Sequence, residues 1–303
     1  MHNGEVFQIF KATDTDSETV KDLISRCFSP LTSPRSQRFQ DPLIGKIDGV
    51  PVALAAFTKN ELHPHSKKVV VAVLPEFRRN GFGSRIHAKL IEVASTITPV
   101  FVNCDESQHN EKAFFRKLNY QPVLTCHSLE LNLNQISKEN PNPEVKSYYE
   151  LEQSGFKLDK INDFLVERYI EAHQWNPPCE KENAIWKMLL EDQKVDPRHS
   201  FAWVEGDRVL AASDGQTERA FLKILGLPFA VGWVYVDRHS AISETELYKS
   251  VLLSQLQEAA RSGFSTSYLE LDSTDHPVDQ LLNWLPVKKH EICEIYRLQD
   301  QIS

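Results

Sequence analysis

Ten residues near position 50, "IDGVPVALAA", return in outline as "VEGDRVLAAS", with Asp48 over Glu205, Gly49 over Gly206 and Val52 over Val209, an offset of 157. Leu118 and Leu285 later pair at an offset of 167. A period of roughly 160 residues is several-fold longer than a solenoid repeat, so it implies that a whole domain has been duplicated. A chain of 303 residues is also long for one hydrophobic core, and two domains are the expected division.

The order of elements supports the duplication. In the first half "VFQIFKAT" reads as a strand, and "DTDSETVKDLISRCF" as a helix with Asp16 near its start and Val20, Leu23, Ile24, Cys27 and Phe28 on one face. "LIGKIDGVPVALAAF" reads as two strands joined at Asp48-Gly49, a pair suited to a tight hairpin turn. "KKVVVAVL" is too apolar to have a wet face and belongs at the centre of a sheet. "SRIHAKLIEVAS" follows as a helix with Ile86, Leu90, Ile91, Val93 and Ala94 at helical spacing, then "PVFVNC" as a strand, "QHNEKAFFRKL" as a helix and "SLELNLNQ" as a strand. After the polar, proline-bearing "ISKENPNPEVKS", the second half gives helix, hairpin, buried strand, helix, strand, helix and strand again. The fold class is therefore α/β, in the α+β sense, built twice.

Charge and cysteine usage narrow the function. The net charge of −8 disfavours general nucleic-acid binding, but Met1–Val145 carries 17 Lys+Arg against 16 Asp+Glu and the remainder 17 against 26. Only the first half is suited to a polyanionic ligand. The five cysteines are scattered and never form C-x-x-C, so neither a disulfide framework nor a zinc site is expected. No apolar run approaches the roughly 20 residues of a membrane span, and "MHNGEVFQIF" lacks the marks of a secretory signal. The expected setting is the cytoplasm, with no nucleic-acid, membrane or metal partner and a monomer or homodimer as the assembly.

The chemistry is concentrated after the central strand, in Val73-Leu74-Pro75-Glu76-Phe77-Arg78-Arg79-Asn80-Gly81-Phe82-Gly83-Ser84. Main-chain N–H groups at a glycine turn that feeds a helix form a nest for anions, aided by the positive end of the helix dipole. Gly81 and Gly83 allow the turn and keep side chains out of a phosphate's way, while Arg78 and Arg79 add positive charge. A Rossmann loop would need a third glycine where Ile86 stands, and a Walker A loop would need Gly-Lys-Ser/Thr. Both are absent. The stretch resembles the acetyl-CoA loop of the GNAT superfamily of N-acetyltransferases, V-x-P, an aromatic residue, then R/Q-x-x-G-x-G/A, and the element order from Val6 to Asn134 resembles that family's. The whole chain resembles tandem GNAT proteins, the layout of mycothiol synthase among others.

The resemblance implies two tandem GNAT-like domains, each with a mixed, mostly antiparallel, splayed sheet flanked by helices. Residues 1–135 would be the acetyl-CoA-binding domain, 136–147 a linker, and 148–303 a degenerate copy. It further implies that the fourth strand splays from the fifth, so that Val71, Ala72 and Val73 hold the pantetheine arm and Arg78, Arg79, Asn80, Gly81, Phe82, Gly83 and Ser84 line the pyrophosphate seat. The implied reaction is direct attack of a primary amine, of a small molecule or peptide, on acetyl-CoA as co-substrate, without a metal.

Departures from the family pattern bear on catalysis. Its usual tyrosine falls on Phe115, and Tyr120 lies five residues on, about 140° round a helix. Asn103 stands where the family often has Glu; Asp105 and Glu106, just beyond, are the candidate bases, with capping of the helix near Gln108 as their other role. His63, His65, His109 and His127 could titrate near neutrality, although "HPH" at 63–65 reads as a surface loop. Trp175, Pro177, Pro178 and Cys179 read as a proline-stopped helix end on an aromatic, with a lid or pocket wall as the alternative. In the second half "GWVYVDRH" leads into Ser240-Ala241-Ile242-Ser243-Glu244, with no glycine and an acid, and Leu282 takes the tyrosine's place. That half is expected to support the first, to cover its acceptor site or to select the substrate. The alternative function is a weak or inactive protein that binds or senses acyl-CoA.

Overall fold

The computed structural model describes residues 6–28, 39–93, 98–217, 222, 226–274 and 276–299. The start of the N-terminal stretch and Ala94 of the expected helical stripe lie outside them. Along the chain the elements are β1 (Phe7–Lys11), α1 (Ser17–Cys27), β2 (Phe39–Ile47), β3 (Val50–Thr58), β4 (Lys67–Val73), α2 (Phe82–Val93), β5 (Val100–Asp105), α3 (His109–Lys117) and β6 (Tyr120–Asn132). They continue as β7 (Val145–Ser147), α4 (Tyr148–Gln153), α5 (Asp159–Ala172), α6 (Ala184–Gln193), β8 (Phe201–Glu205), β9 (Arg208–Gln216), β10 (Ala230–Val236), α7 (Glu244–Arg261), β11 (Thr266–Asp272), α8 (Val278–Leu282) and β12 (Val287–Leu298).

The chain forms two compact units. The first draws its described residues from Met1–Asn103, Asn110–Gln121 and Tyr296–Ser303, the second from Cys104–His109 and Pro122–Ile295. Each contains strands from both halves of the sequence, a division that duplication alone does not dictate.

In the first unit the strands run β1-β2-β3-β4-β5. The β2–β3 hairpin closes at Asp48 (φ 49°) and Gly49 (φ 81°), with Ile47 opposite Val50, as the Asp-Gly pair requires. β3 and β4 pair antiparallel from Ala53 opposite Val73 to Thr58 opposite Lys68. α1 covers one face: Val20, Leu23 and Ile24 pack with Ile44, Leu54, Ala72 and Leu74. Burying seven such side chains at about 1.5–3 kcal/mol for each large one makes this layer the frame that fixes β4.

In the second unit the order is β12-β6-β11-β10-β9-β8-β7. α7 packs on one face through Leu247, Val251, Leu252 and Leu256, and α5 on the other through Ile161 and Leu165. Two short helices escape the sequence reading. α4 has only six residues, too few for a periodic stripe, but Ser147 and Glu150 form a reciprocal capping box at its start. α6 opens on Asn183, whose side chain accepts from Ile185 N–H, and ends at Lys194 in the left-handed region (φ 49°).

Candidate functional site

The two parallel strand pairs explain the site. β4 and β5 pair only through Lys67 opposite Val100 and Lys68 opposite Phe101, after which they separate. Val69 to Val73 thus keep β3 on one side and leave the other edge open, the splay that the family resemblance implies. Strand geometry decides which groups face the opening. Leu74 N–H donates to Val52 O on β3 (3.0 Å) and Lys67 N–H to Pro99 O on the β5 side (2.9 Å), so alternation turns the amides of Val71 and Val73 to the open edge. Ala72 turns its amide to β3 and buries its methyl under α1. Of the three residues expected to hold the pantetheine arm, Val71 and Val73 turn main-chain groups to the open edge; Ala72 sets the strand against α1 instead.

Above this edge the chain makes a 3₁₀ turn at Pro75–Phe77 and enters α2. Arg79 (φ 66°) and Gly81 (φ 80°) both adopt left-handed backbone. For glycine this is free; for arginine it stores about 1–3 kcal/mol, which marks a backbone shape held for a purpose. Gly81 O accepts from Arg85 N–H (3.1 Å), making Gly81 the N-cap without a side chain to fill the helix end. The first turn of α2 holds no acid. Helix geometry leaves the N–H groups of Phe82, Gly83 and Ser84 without intrahelical acceptors, and Arg78, Arg79, Asn80 and Gly81 are exposed beside them. An oxyanion is the natural occupant.

The side chains of the loop do other work than expected. Arg78 Nε donates to Val73 O (3.0 Å), tying the loop to the strand end, and Arg79 Nη2 donates to Asn110 Oδ1 at the start of α3. Asn80 Nδ2 spans the turn to Phe77 O and Arg78 O, both at 3.2 Å. Gly83 is corrected: it sits inside α2 and supplies no turn. A Cβ there would lie 3.3 Å from the Phe114 ring and 3.5 Å from Val73 Cγ2, so it is small to let α3 and β4 approach. Phe82 stacks on Phe7 of β1, centroids 4.5 Å apart, and Arg85 lies over the same ring. Asn110, Phe114 and Phe7 are thus positioning residues that sequence reading missed, because nothing in their spacing distinguishes them from ordinary helix and strand residues.

Phe115 is buried and packs edge-on against Phe114 and Tyr120. Tyr120 opens β6 rather than continuing α3, which stops at Lys117 and is closed by Asn119 in left-handed backbone (φ 66°). Its hydroxyl meets His87 Nε2 at 2.9 Å, and both groups are buried. Burial pushes the phenol up and the imidazole down to about 4. This pair is a neutral structural hydrogen bond. Asn103 is exposed, whereas Asp105 and Glu106 fall in the second unit, where Glu106 N–H donates to Ile292 O (2.8 Å) and Gln108 Oε1 accepts from Asp105 N–H (3.0 Å). His63, expected in a surface loop, is buried; His65 and His109 are exposed. His127 meets His290 at 2.9 Å, and desolvation, then that neighbour, lower its pKa. Trp175 lies 5.9 Å from His173, which ends α5 and stacks on Tyr169, as the helix-end reading anticipates.

The second unit repeats the splay and fills it. β10 and β11 pair in parallel only at Ala230 opposite Tyr268. Asp237 N–H donates to Leu210 O on β9 (2.7 Å), so alternation turns Val234 to the open side, as Val71 is turned in the first unit. There His276 occupies the opening. Its Nδ1 accepts from Asp272 N–H (3.1 Å), which leaves Nε2 to donate to Val234 O (3.1 Å). At the head of α7 Ser243 accepts from Glu246 N–H, and Glu244 and Glu246 occupy the first turn. Capped and acidic, this end repels an anion. The described residues hold no cluster of three or more side chains able to bind a metal, and no helix among them is long and apolar enough to cross a membrane.

Comparison with known proteins agrees with this geometry. Residues 5–120 match the model of the acetyltransferase (GNAT) family. No curated protein matches the chain. Among solved structures, a GCN5-related N-acetyltransferase from Sphaerobacter thermophilus is 17% identical, with 98% of this chain and 97% of that one covered and a TM-score of 0.61. A tandem GNAT protein from the clavulanic acid biosynthesis pathway is 14% identical over 98% of this chain and 100% of that one, with a TM-score of 0.52. A probable N-acyltransferase from Enterococcus faecalis is 10% identical, covering 97% of this chain and 72% of that one, TM-score 0.54. Residues 5–120 are therefore similar to the acetyltransferase (GNAT) family, and the chain as a whole has the fold of tandem GNAT proteins.

Proposed function

We propose that the first unit binds acetyl-CoA and that the protein transfers the acetyl group to a primary amine of a small molecule or peptide. The observation that supports this best is the open edge of β4, with Val71 and Val73 turned to it, beneath an acid-free helix end whose approach is bent by left-handed Arg79 and Gly81. An extended amide-bearing chain suits the edge and a diphosphate suits the helix end, and the two stand in the order in which such a coenzyme carries them. The coenzyme supplies an acetyl group activated as a thioester.

The chain contributes positioning first. Main-chain groups of Val71 and Val73 orient the arm, and the amides from Arg79 to Ser84 hold the phosphates. The proton of the attacking ammonium passes to a carboxylate or to water. Phe115 has no hydroxyl and Tyr120 is held in the core by His87, so neither donates a proton to the leaving group. A thiol's pKa near 8.5 makes such assistance dispensable at a cost of about 10²–10⁴-fold in rate.

Calorimetric titration with acetyl-CoA, and coenzyme release against a panel of primary amines, test the two parts. Binding that weakens by at least about tenfold in Arg79→Glu, with turnover on one amine class, is the expected result. Wild-type affinity in Arg79→Glu would remove the pyrophosphate assignment, and binding without turnover on any amine would remove the transferase.

A further inference from the structure

Away from its filled opening, the second unit brings two histidines together at its surface. His127 on β6 and His290 on β12, neighbouring strands of the sheet, place Nδ1 of the first and Nε2 of the second 2.9 Å apart. Their ring centroids are 5.1 Å apart and their planes 27° from parallel, so the two nitrogens lie close to the line between the rings with one proton between them. The acetyl-transfer reading gives this pair no role.

The surroundings favour positive charge on it. Besides His290, the groups that act on His127 are two carboxylates, Asp279 on α8 and Glu106 just after β5, and both pull towards the charged ring. The lysines of β12 are engaged elsewhere, Lys288 with Glu130 at 2.5 Å and Lys289 with Glu291 at 2.9 Å. Protons alone cannot supply two charges here. Once both rings are protonated, both facing nitrogens are donors and the pair comes apart. One doubly charged ion avoids that conflict, because both nitrogens then offer lone pairs while each ring keeps a proton on its far nitrogen.

The spacing suits such an ion. Two nitrogens about 2.05 Å from a metal and at right angles to each other stand about 2.9 Å apart. An ion in place of the proton needs only that the rings tilt towards it, and His290 is exposed, which leaves room for the tilt and a path for a hydrated ion.

We propose that His127 and His290 together bind one divalent transition-metal ion, with water in its remaining positions. Paired imidazoles select zinc, nickel or copper over magnesium and calcium, which prefer oxygen. Two protein ligands make the site exchangeable, and because they come from adjacent strands the ion clamps β12 to β6. Binding here does not depend on acetyl-CoA.

The test is calorimetry on the full chain without coenzyme, with Zn²⁺ or Ni²⁺ added alone and Mg²⁺ as the control. One equivalent of Zn²⁺ or Ni²⁺ should bind, and His127→Gln and His290→Gln should each weaken that binding by at least about tenfold, whereas His65→Gln, at an exposed position of the first unit, should leave it unchanged. Lowering the pH from about 7.5 to about 5.5 should weaken it by about tenfold or more, as protons compete for the same nitrogens. Ni²⁺ is paramagnetic, so it should also broaden the imidazole NMR signals of His127 and His290 selectively, a readout that needs no substitution. Absence of one-to-one binding, Mg²⁺ binding as tightly, unchanged affinity in either of the two glutamine variants of the pair, or broadening centred on other histidines would each overturn the proposal.

Discussion

The sharpest stability test lies at Asp214, in the middle of the second unit. Its carboxyl is fully buried on β9 and accepts a hydrogen bond from Tyr148 through Oδ1 at 2.8 Å, while Oδ2 has no hydrogen-bond partner among the described residues. Burial raises its pKa from 3.8 to about 7, against the opposing effect of the tyrosine hydrogen bond. Below pH 3.8 the group is protonated in folded and unfolded chains alike and costs nothing by titration. Between 3.8 and about 7 the unfolded chain releases the proton and the folded chain keeps it, so stability falls as pH rises, by about 1.4 kcal/mol per unit. The full loss above pH 7 is about 4 kcal/mol, of which about 2.5 kcal/mol accrues between pH 5 and 8. Asp214→Asn cannot titrate. Its amide adds a constant cost of unmatched donors, which cancels when only the pH dependence is compared. Urea unfolding of both proteins from pH 5 to 8 should show the variant gaining on the wild type by roughly 2.5 kcal/mol as pH rises. A gap independent of pH would mean that Asp214 is solvated or ionised in the fold, and the argument from burial would fail.

Other outcomes follow from the same geometry. Gly81→Ala puts a side chain on left-handed backbone with open space around it, so it should cost about 1–2 kcal/mol through strain alone and weaken acetyl-CoA binding in titration, while Arg79→Gly should melt at a higher temperature and yet bind more weakly. His276→Ala removes the donor to Val234 O and should destabilise the second unit by about 1–3 kcal/mol in urea unfolding; added imidazole should restore part of the loss and leave the coenzyme affinity unchanged. His87→Leu strands the Tyr120 hydroxyl at neutral pH, but it also removes a buried imidazole held near 4, whose penalty grows as pH falls below 6.5; the variant's deficit in unfolding free energy should therefore shrink between pH 7 and 5.

The sequence discloses those parts of the fold that rest on local chemistry. Asp48-Gly49 marks its own hairpin, the apolar run of β4 marks a buried strand, and Pro75 with Gly81 marks the turn into α2. The splay between β4 and β5 follows from the family resemblance alone, since no residue in either strand encodes where pairing stops. What remained hidden depends on neighbours distant in sequence. Arg79 carries no sign of left-handed backbone, because the strain is imposed by the strand and helix it joins. Gly83 is small on account of Phe114, which sequence alone cannot place beside it. His276 looks like an ordinary loop histidine until its imidazole is seen in the second opening. Asp105 and Glu106 stand out by their position at the end of β5, whose sequence gives no sign that they belong to the second unit.

The last strand has a consequence for biogenesis. Arg116 donates to the Tyr296 hydroxyl at 2.9 Å, and Gln299 N–H reaches Asn119 O at 3.1 Å, both across 180 residues. The first unit, most of which lies before Gln121, is therefore completed by residues 180 positions further along the chain. It cannot close until residues 296–299 have been translated, and a nascent chain would carry its unfinished edge throughout synthesis of the second unit. Substitution of Tyr296 would therefore strike a unit encoded far upstream of it.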